Sequence, residues 1–447
     1  MAGIVYVVHC IDTEGPLYEA PEVPFTQIKN IYGIEIESTQ ENLNKLRRGE
    51  LYLEGKEKEV SNLIDVNKMS VGGNWTELWT NIQEVTSEKF RNLEPDSRGN
   101  GWVYSWFCMD HVGFDGENPR KRDSGHHHVF DRYMELVRQS KSRDIVQFHH
   151  HPVSHSGNYH ECGTAFWGRS TLNDILTRKI IDRAWFPTAF RPGFHTERPD
   201  SHWFLEQWIP FDYGNQSSDC INDLQLDLGN ARFGNWKNAP KEWKPYHPAY
   251  NDYRKRGNCR RWITKCLNMN ARIREITQQD VFEAFWLAEM EGKAILAFTD
   301  HDYKNMKYDI ERMRTLIRNA KNKYPDVQFE YVDAITAMRK YCNLAEESIQ
   351  LKCEIKESKD NTILIIETIH GIFGNQPYLA IKTKDGKYIW DNLDFVNERT
   401  WSYTFDNHSI RYESITHIGI AANNEYGKCE VMNFNVEEKK WIKTILN

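Results

Sequence analysis

The chain has 447 residues, of which 40% are hydrophobic and 27% charged, and a formal net charge of −7. At about 150 residues per domain that length allows two or three domains, each able to bury a core. The 57 basic residues are outnumbered by 64 acidic ones, which argues against a nucleic-acid partner, and no apolar run approaches the roughly 18 to 20 residues of a membrane span.

The N-terminal run Ile4 to His9 is apolar but short, has no basic leader and meets charge at Asp12. It reads as the buried first strand of a cytoplasmic protein. Further apolar runs follow at Val103 to Cys108, Ile145 to His149, Ala189 to Arg191, Ile209 to Tyr213, Ile295 to Phe298 and Phe329 to Val332. Continuous apolarity without alternation is the signature of parallel strands covered on both faces. Amphipathic stretches between them predict helices over Val129 to Ser140, Thr171 to Arg183, Ser201 to Trp208, Asp280 to Glu291 and Lys304 to Lys323. Alternating strand and helix predicts an α/β architecture, a barrel or an open sheet. Residues 16–101 stand as an insertion of mixed character after the first strand.

Near residue 345 the texture changes. Period-two runs at 351–355, 362–366, 378–381, 415–421 and 431–436, separated by turn signals such as Lys384-Asp-Gly386, predict a β-sandwich over 346–447. That domain carries no cluster of ligand-type residues and is expected to be accessory. Nine scattered Cys without a CxxC pair indicate reduced packing thiols rather than disulfides.

Polar residues gather just after the apolar runs, where sites of parallel α/β folds lie. Asp12 and Glu14 are two positions apart, so on extended backbone both carboxylates face one side. Such a pair can divide into metal ligand and general base; a helix cap with a solvated Glu is the plain alternative. His149, His151 and His155 follow the third run. His149 with His151 on a strand, or His151 with His155 on a helical turn, can present two imidazoles to one cation. The triple His126-His127-His128 reads instead as a solvated helix start. Arg191, before a Pro-Gly turn, suits bidentate grip of a carboxylate. His301, between Asp300 and Asp302, has neighbours that can raise its pKa, as a general acid requires.

In order, these motifs resemble the polysaccharide deacetylase superfamily, the nodulation-protein-B-like carbohydrate esterases, of the surface-polysaccharide biosynthesis type. The resemblance implies a distorted (β/α) barrel over 1–345, with insertions at 16–101 and 233–262, followed by the all-β domain. It implies one divalent metal, usually zinc, held by Glu14, His151 and either His149 or His155, with Asp12 as base, Arg191 orienting it, and His301 as acid supported by Asp300 or Asp302. The D-x-E spacing of the first motif departs from the family's commonest adjacent Asp-Asp, and His151-Pro-Val-Ser-His155 moves the hydroxyl of the second. The implied reaction removes an acetyl or other small acyl group from an N-acetylated sugar, free or linked to a nucleotide or lipid. Within the loop 233–262, Trp243, Tyr246 and Tyr250 among cations are candidates for a substrate-binding cover. Two rivals remain: a PHP-like phosphoesterase, because Thr299-Asp-His301-Asp302 also resembles that metal motif, and an inactive barrel that binds sugar.

Overall fold

The computed structural model of the 447-residue chain describes residues 3–16, 22–65, 73–109, 127–140, 143–150, 171–218, 235–270, 275–357 and 361–446. Its first strand, β1 (Ile4–Thr13), is buried along nearly its whole length. The segment after it is helical: α1 (Val23–Tyr32), α2 (Gln40–Arg48), α3 (Glu57–Leu63), α4 (Trp75–Thr86) and α5 (Glu88–Arg91). The first three share a small core of their own around Phe25, Ile28, Leu43, Leu46 and Val60. In contrast, α4 buries Leu78, Ile82 and Val85 against the main core.

Strands and helices then alternate: β2 (Tyr104–Met109), α6 (His128–Gln139), β3 (Ile145–His150), α7 (Thr171–Arg183), β4 (Ala189–Pro192), α8 (Pro199–Trp208) and β5 (Phe211–Asn215). A short hairpin, β6 (Pro248–Ala249) and β7 (Asp252–Arg256), precedes β8 (Trp262–Asn268), α9 (Gln278–Glu291), β9 (Lys293–His301), α10 (Met306–Lys323), β10 (Gln328–Tyr331) and α11 (Ala334–Cys342). Seven parallel strands close into a barrel in the order β1-β2-β3-β4-β5-β8-β9, with β9 returning to β1 and β10 lying beside the first residues of β1. Helices on the outside and packed side chains within explain the continuous apolar runs. Local signals fix the joints: Thr277 and Asp280 form a capping box that starts α9, and Gly292, at φ 90°, ends it so that β9 begins one residue later. Because all seven strands are parallel, their C-terminal ends share one mouth.

The C-terminal part forms two antiparallel sheets. One has the order β11 (Lys352–Glu357), β12 (Thr362–Glu367), β16 (Thr400–Phe405), β15 (Asp394–Asn397). The other has the order β14 (Tyr388–Asp391), β13 (Tyr378–Thr383), β17 (Ile415–Asn423), β18 (Cys429–Asn435), β19 (Lys440–Leu446). Leu364, Ile366, Leu379, Ile381, Trp401 and Ile420 fill the space between the sheets. On β13 the alternate residues Tyr378 and Ala380, with Ala421 and Val431, instead join the barrel's core. The five-stranded sheet is therefore covered on both faces, with α7 and the barrel's lower end as its second cover, and the β domain is fused to the barrel rather than tethered. No helix among the described residues is long and apolar enough to cross a membrane.

Candidate functional site

Four strand ends bring the expected residues together at the mouth. Asp12 and Glu14 come from the end of β1, His149 from β3, Arg191 from β4 and His301 from β9. Register does this directly: Asp12 lies beside His301 across the β1–β9 pair, and His149 beside Arg191 across β3–β4.

Arg191 grips Asp12 with two parallel bonds, Nε to Oδ1 at 2.6 Å and Nη2 to Oδ2 at 3.0 Å. Its third donor, Nη1, reaches the Tyr213 carbonyl at 2.6 Å. The sequence segment around Asp212 thus serves the site through a backbone oxygen, while Asp212 itself binds buried Arg261, with Nε to Oδ2 at 3.2 Å. Burial alone would raise the Asp12 pKa, but the Arg191 guanidinium outweighs it and holds the carboxyl well below the usual range, with His149 adding to the effect. Asp12 is an anion whose orientation is fixed.

His149 Nδ1 lies 3.0 Å from the Arg191 carbonyl. A carbonyl only accepts, so Nδ1 carries the proton in the neutral ring and Nε2 presents its lone pair. That nitrogen faces Glu14 Oε1 at 3.9 Å, and His301 Nε2 stands at the same 3.9 Å from the same oxygen. In the neutral ring His149 Nε2 and the Glu14 oxygen are both acceptors, an arrangement that a proton or a divalent ion between them satisfies. Zinc bonds to His nitrogen and to carboxylate oxygen, each about 2.0–2.2 Å, together span such a gap. The donor pair therefore fits a divalent ion. Among the described residues no group of three or more His, Cys, Asp or Glu is arranged to hold one, and the other candidate ligands, His151 and His155, lie outside the described residues.

Two expectations about the last motif are corrected. Asp302 does not touch the His301 ring. Its carboxylate accepts the backbone N–H groups of Glu14 at 3.0 Å and Gly15 at 2.9 Å, and the Tyr133 hydroxyl at 2.8 Å. Asp302 is a strap that sets the position of Glu14, not a group facing the mouth. Gly15 turns the chain there at φ 76°, with the Trp75 ring too close to leave easy room for a Cβ. Asp300 accepts the backbone N–H of His301 at 2.8 Å, again not the ring. The largest influences on the imidazole's pKa are other groups. Burial, then the charge of Lys304, push it down to about 3 against the opposing pull of Glu14 and Asp12.

The aromatic cover is also corrected. Trp243 is buried in the barrel core, and its carbonyl accepts the N–H of Ile295 at 3.0 Å. Tyr246 is buried beside Ile263 and donates to the Tyr253 carbonyl at 2.8 Å. Ile295 and Ile263 lie near the starts of β9 and β8, whereas Asp12 and His301 lie at strand ends. Six residues separate Ile295 from His301 along β9, roughly 20 Å of strand. Tyr250 is exposed on the flank, its ring 4.2 Å from that of Trp203. The three aromatics close the lower barrel and its side; none meets the mouth.

Residues that sequence reasoning misses are Tyr133, which no strand-end pattern flags, and the buried carboxylate Asp309 behind Asp300. His127, expected in solvent, is instead buried between Asp182 and Lys179, with Nε2 to Oδ2 at 3.1 Å and Nδ1 to Nζ at 3.1 Å. His128 is exposed as expected, and His126 lies outside the described residues. Compared with models of known protein families and with curated proteins, the chain matches none.

Proposed function

We propose that the chain is a metal-dependent hydrolase that removes an acetyl or other small acyl group from an N-acetylated sugar, free or carried on a nucleotide or lipid. One observation carries the reading: a buried aspartate, doubly held by an arginine, sits beside a histidine and a glutamate that oppose each other as two acceptors. The order of these residues along the chain matches the deacetylase motifs, and that likeness alone supplies the sugar.

Glu14 and His149 would hold the ion, with His151 and His155 the remaining candidates. Lewis-acid polarisation of the acyl carbonyl and of water is the chemistry such an ion supplies when bound. Asp12, oriented by Arg191, takes the proton from the attacking water as the new C–O bond forms at the acyl carbon. His301 is its register partner on the adjacent strand. Burial and Lys304 hold the His301 pKa low, so its imidazole is neutral and able to take that proton from Asp12 before the amine leaves. His301 then delivers it to the departing amine nitrogen as the C–N bond breaks. Asp302 and Tyr133 keep the Glu14 turn in place throughout.

The test joins metal analysis with acetate release. Purified protein should carry one zinc, cobalt or nickel per chain and release acetate from N-acetylated sugars. Asp12→Asn and His301→Ala, assayed where circular dichroism shows each folded, should each cost about 10²–10⁴-fold in kcat. Protein without stoichiometric metal, or variants with unaltered hydrolysis, would sink the reading.

A further inference from the structure

Away from the mouth, where the loop 371–375 of the β domain meets the barrel, lies a cavity of about 460 Å³. Its walls come from both units. Arg260, just before β8, donates from Nη1 to the Gly374 carbonyl at 2.7 Å. Gly374, at φ +88°, presses so closely on the Gln207 carbonyl at the end of α8 that a Cβ would collide with it. The cavity exists because the two units are docked. It sits beside the start of β8, the opposite end of the barrel from Asp12 and His301.

The lining has a definite chemistry. Trp401 forms a buried apolar wall, its only polar atom, Nε1, donating to the Asn375 carbonyl at 3.0 Å. Phe373 is buried beside it, whereas Phe395 is 68% exposed on β15, the edge strand of its sheet. The Phe395 ring is free to pack against a ligand at the cavity rim. Three carboxylates, those of Glu347, Glu398 and Glu425, share the lining with a single guanidinium, that of Arg260. Nearby polar groups are partly engaged: His370 pairs with Glu347 at 2.9 Å, and Arg399 donates to the Ile369 carbonyl at 2.5 Å. Negative charge still prevails.

We propose that this seam cavity binds a saccharide unit bearing a free ammonium group. A pyranose-sized ligand suits the volume, which lies within the ordinary range for small-molecule sites. Its carbon face covers Phe395, its hydroxyls meet carboxylates and Asn375, and its ammonium is drawn both to carboxylates and to aromatic faces. The amino sugar is the product class of the proposed deacetylation. Only the source of the ligand rests on that reading; the recognition chemistry rests on the cavity.

Calorimetric titration of the full chain with glucosamine, N-acetylglucosamine and cyclohexylamine tests the assignment. The glucosamine binding that Phe395→Ala removes should be at least fivefold tighter than the Phe395-dependent binding of either of the others. Phe395→Ala and Glu398→Gln, both at exposed positions, should each weaken it at least fivefold without shifting the Tm. Asp12→Asn should bind glucosamine as the wild type does. No glucosamine binding overturns the proposal. So does equal Phe395-dependent binding of N-acetylglucosamine, which removes the ammonium, or of cyclohexylamine, which removes the sugar. Binding lost in Asp12→Asn but kept in Phe395→Ala places the ligand at the mouth and overturns it too. Seam binding that persists in a protein without metal or acetate release leaves this proposal standing while the hydrolase reading fails.

Discussion

The two ends of the barrel are held by different forces. At the mouth, Asp12, Glu14, His149 and Arg191 are nearly or wholly buried and hold one another by charge and charge-assisted bonds. At the lower end the same strands are sealed by Trp243, by the paired segment of Tyr246 and Ile263, and by the β domain. Where the β domain meets the strand starts, one cluster is neutral: Asn423 donates to the carbonyls of Pro187 at 2.7 Å and Trp208 at 2.9 Å, and accepts from the Thr188 hydroxyl at 2.8 Å. Beside the starts of β2 and β3, however, buried Arg91 holds Asp144 in a bidentate pair, with Nη1 to Oδ1 at 2.9 Å. Packing and the neutral hydrogen bonds of Asn423 hold the part of the lower end that the β domain seals. Buried ion pairs are poor stabilisers, because desolvation offsets most of their attraction. The mouth's charges are therefore poorly explained by stability, and each depends on its partner as Arg91 and Asp144 depend on each other.

The largest effect should come from breaking that dependence. Arg191→Leu strands the Asp12 carboxylate in a dry site and should cost about 3–5 kcal/mol in denaturant melts. The double variant Asp12→Leu with Arg191→Leu should recover much of that loss. If the double variant is no more stable than the single one, the pair is a structural brace and the contrast between the ends collapses. Trp243→Ala should cost about 3 kcal/mol through the cavity it leaves, yet metal content and KM should not change. A raised KM would return Trp243 to the substrate's side of the molecule. Asn423→Ala leaves two buried carbonyls and a hydroxyl without their partner and should cost about 1–3 kcal/mol, again with metal content unaltered.

How far the sequence discloses this contrast depends on what each feature signals locally. Strands β1, β2, β3 and β9 are legible because both of their faces are buried and the runs are continuously apolar. Strand β8 hides because Thr264 and Lys265 interrupt it; Lys265 is buried all the same, its ammonium at the Lys241 carbonyl and 4.3 Å over the Trp243 ring. In the β domain, β15 is exposed at every position and carries no pattern, while β16 alternates cleanly, a signal the sequence reading passes over. Asp12, Glu14, Arg191 and His301 can be found because each ends an apolar run. The part played by Asp302 cannot, since its partners Glu14 and Gly15 lie 288 and 287 residues away. The aromatics of 233–262 mislead for the opposite reason: composition gives their chemistry but not the end of the barrel they occupy.

A different kind of effect is a change in the slope of stability with pH, read apart from its overall level, and it should appear behind the mouth. Asp309, on the inward side of α10, is buried against Asp300, with Lys304 and Asn270 as its other neighbours. Burial, then the Asp300 charge, raise its pKa to about 9, and Lys304 and Asn270 only partly oppose them. In the unfolded chain the same carboxyl titrates near the ordinary value of about 3.9. Between those values the folded state holds a proton that the unfolded state has lost, so stability falls as pH rises from about 4 towards 9. Asp309→Asn keeps a neutral side chain of the same shape and should flatten that decline in a series of melts from pH 5 to pH 9. Lower-end variants such as Asn423→Ala should shift the whole curve down without altering its slope. An unchanged slope in Asp309→Asn would mean that the proton resides elsewhere, and that the charge behind His301 is less tightly coupled than its burial beside Asp300 implies.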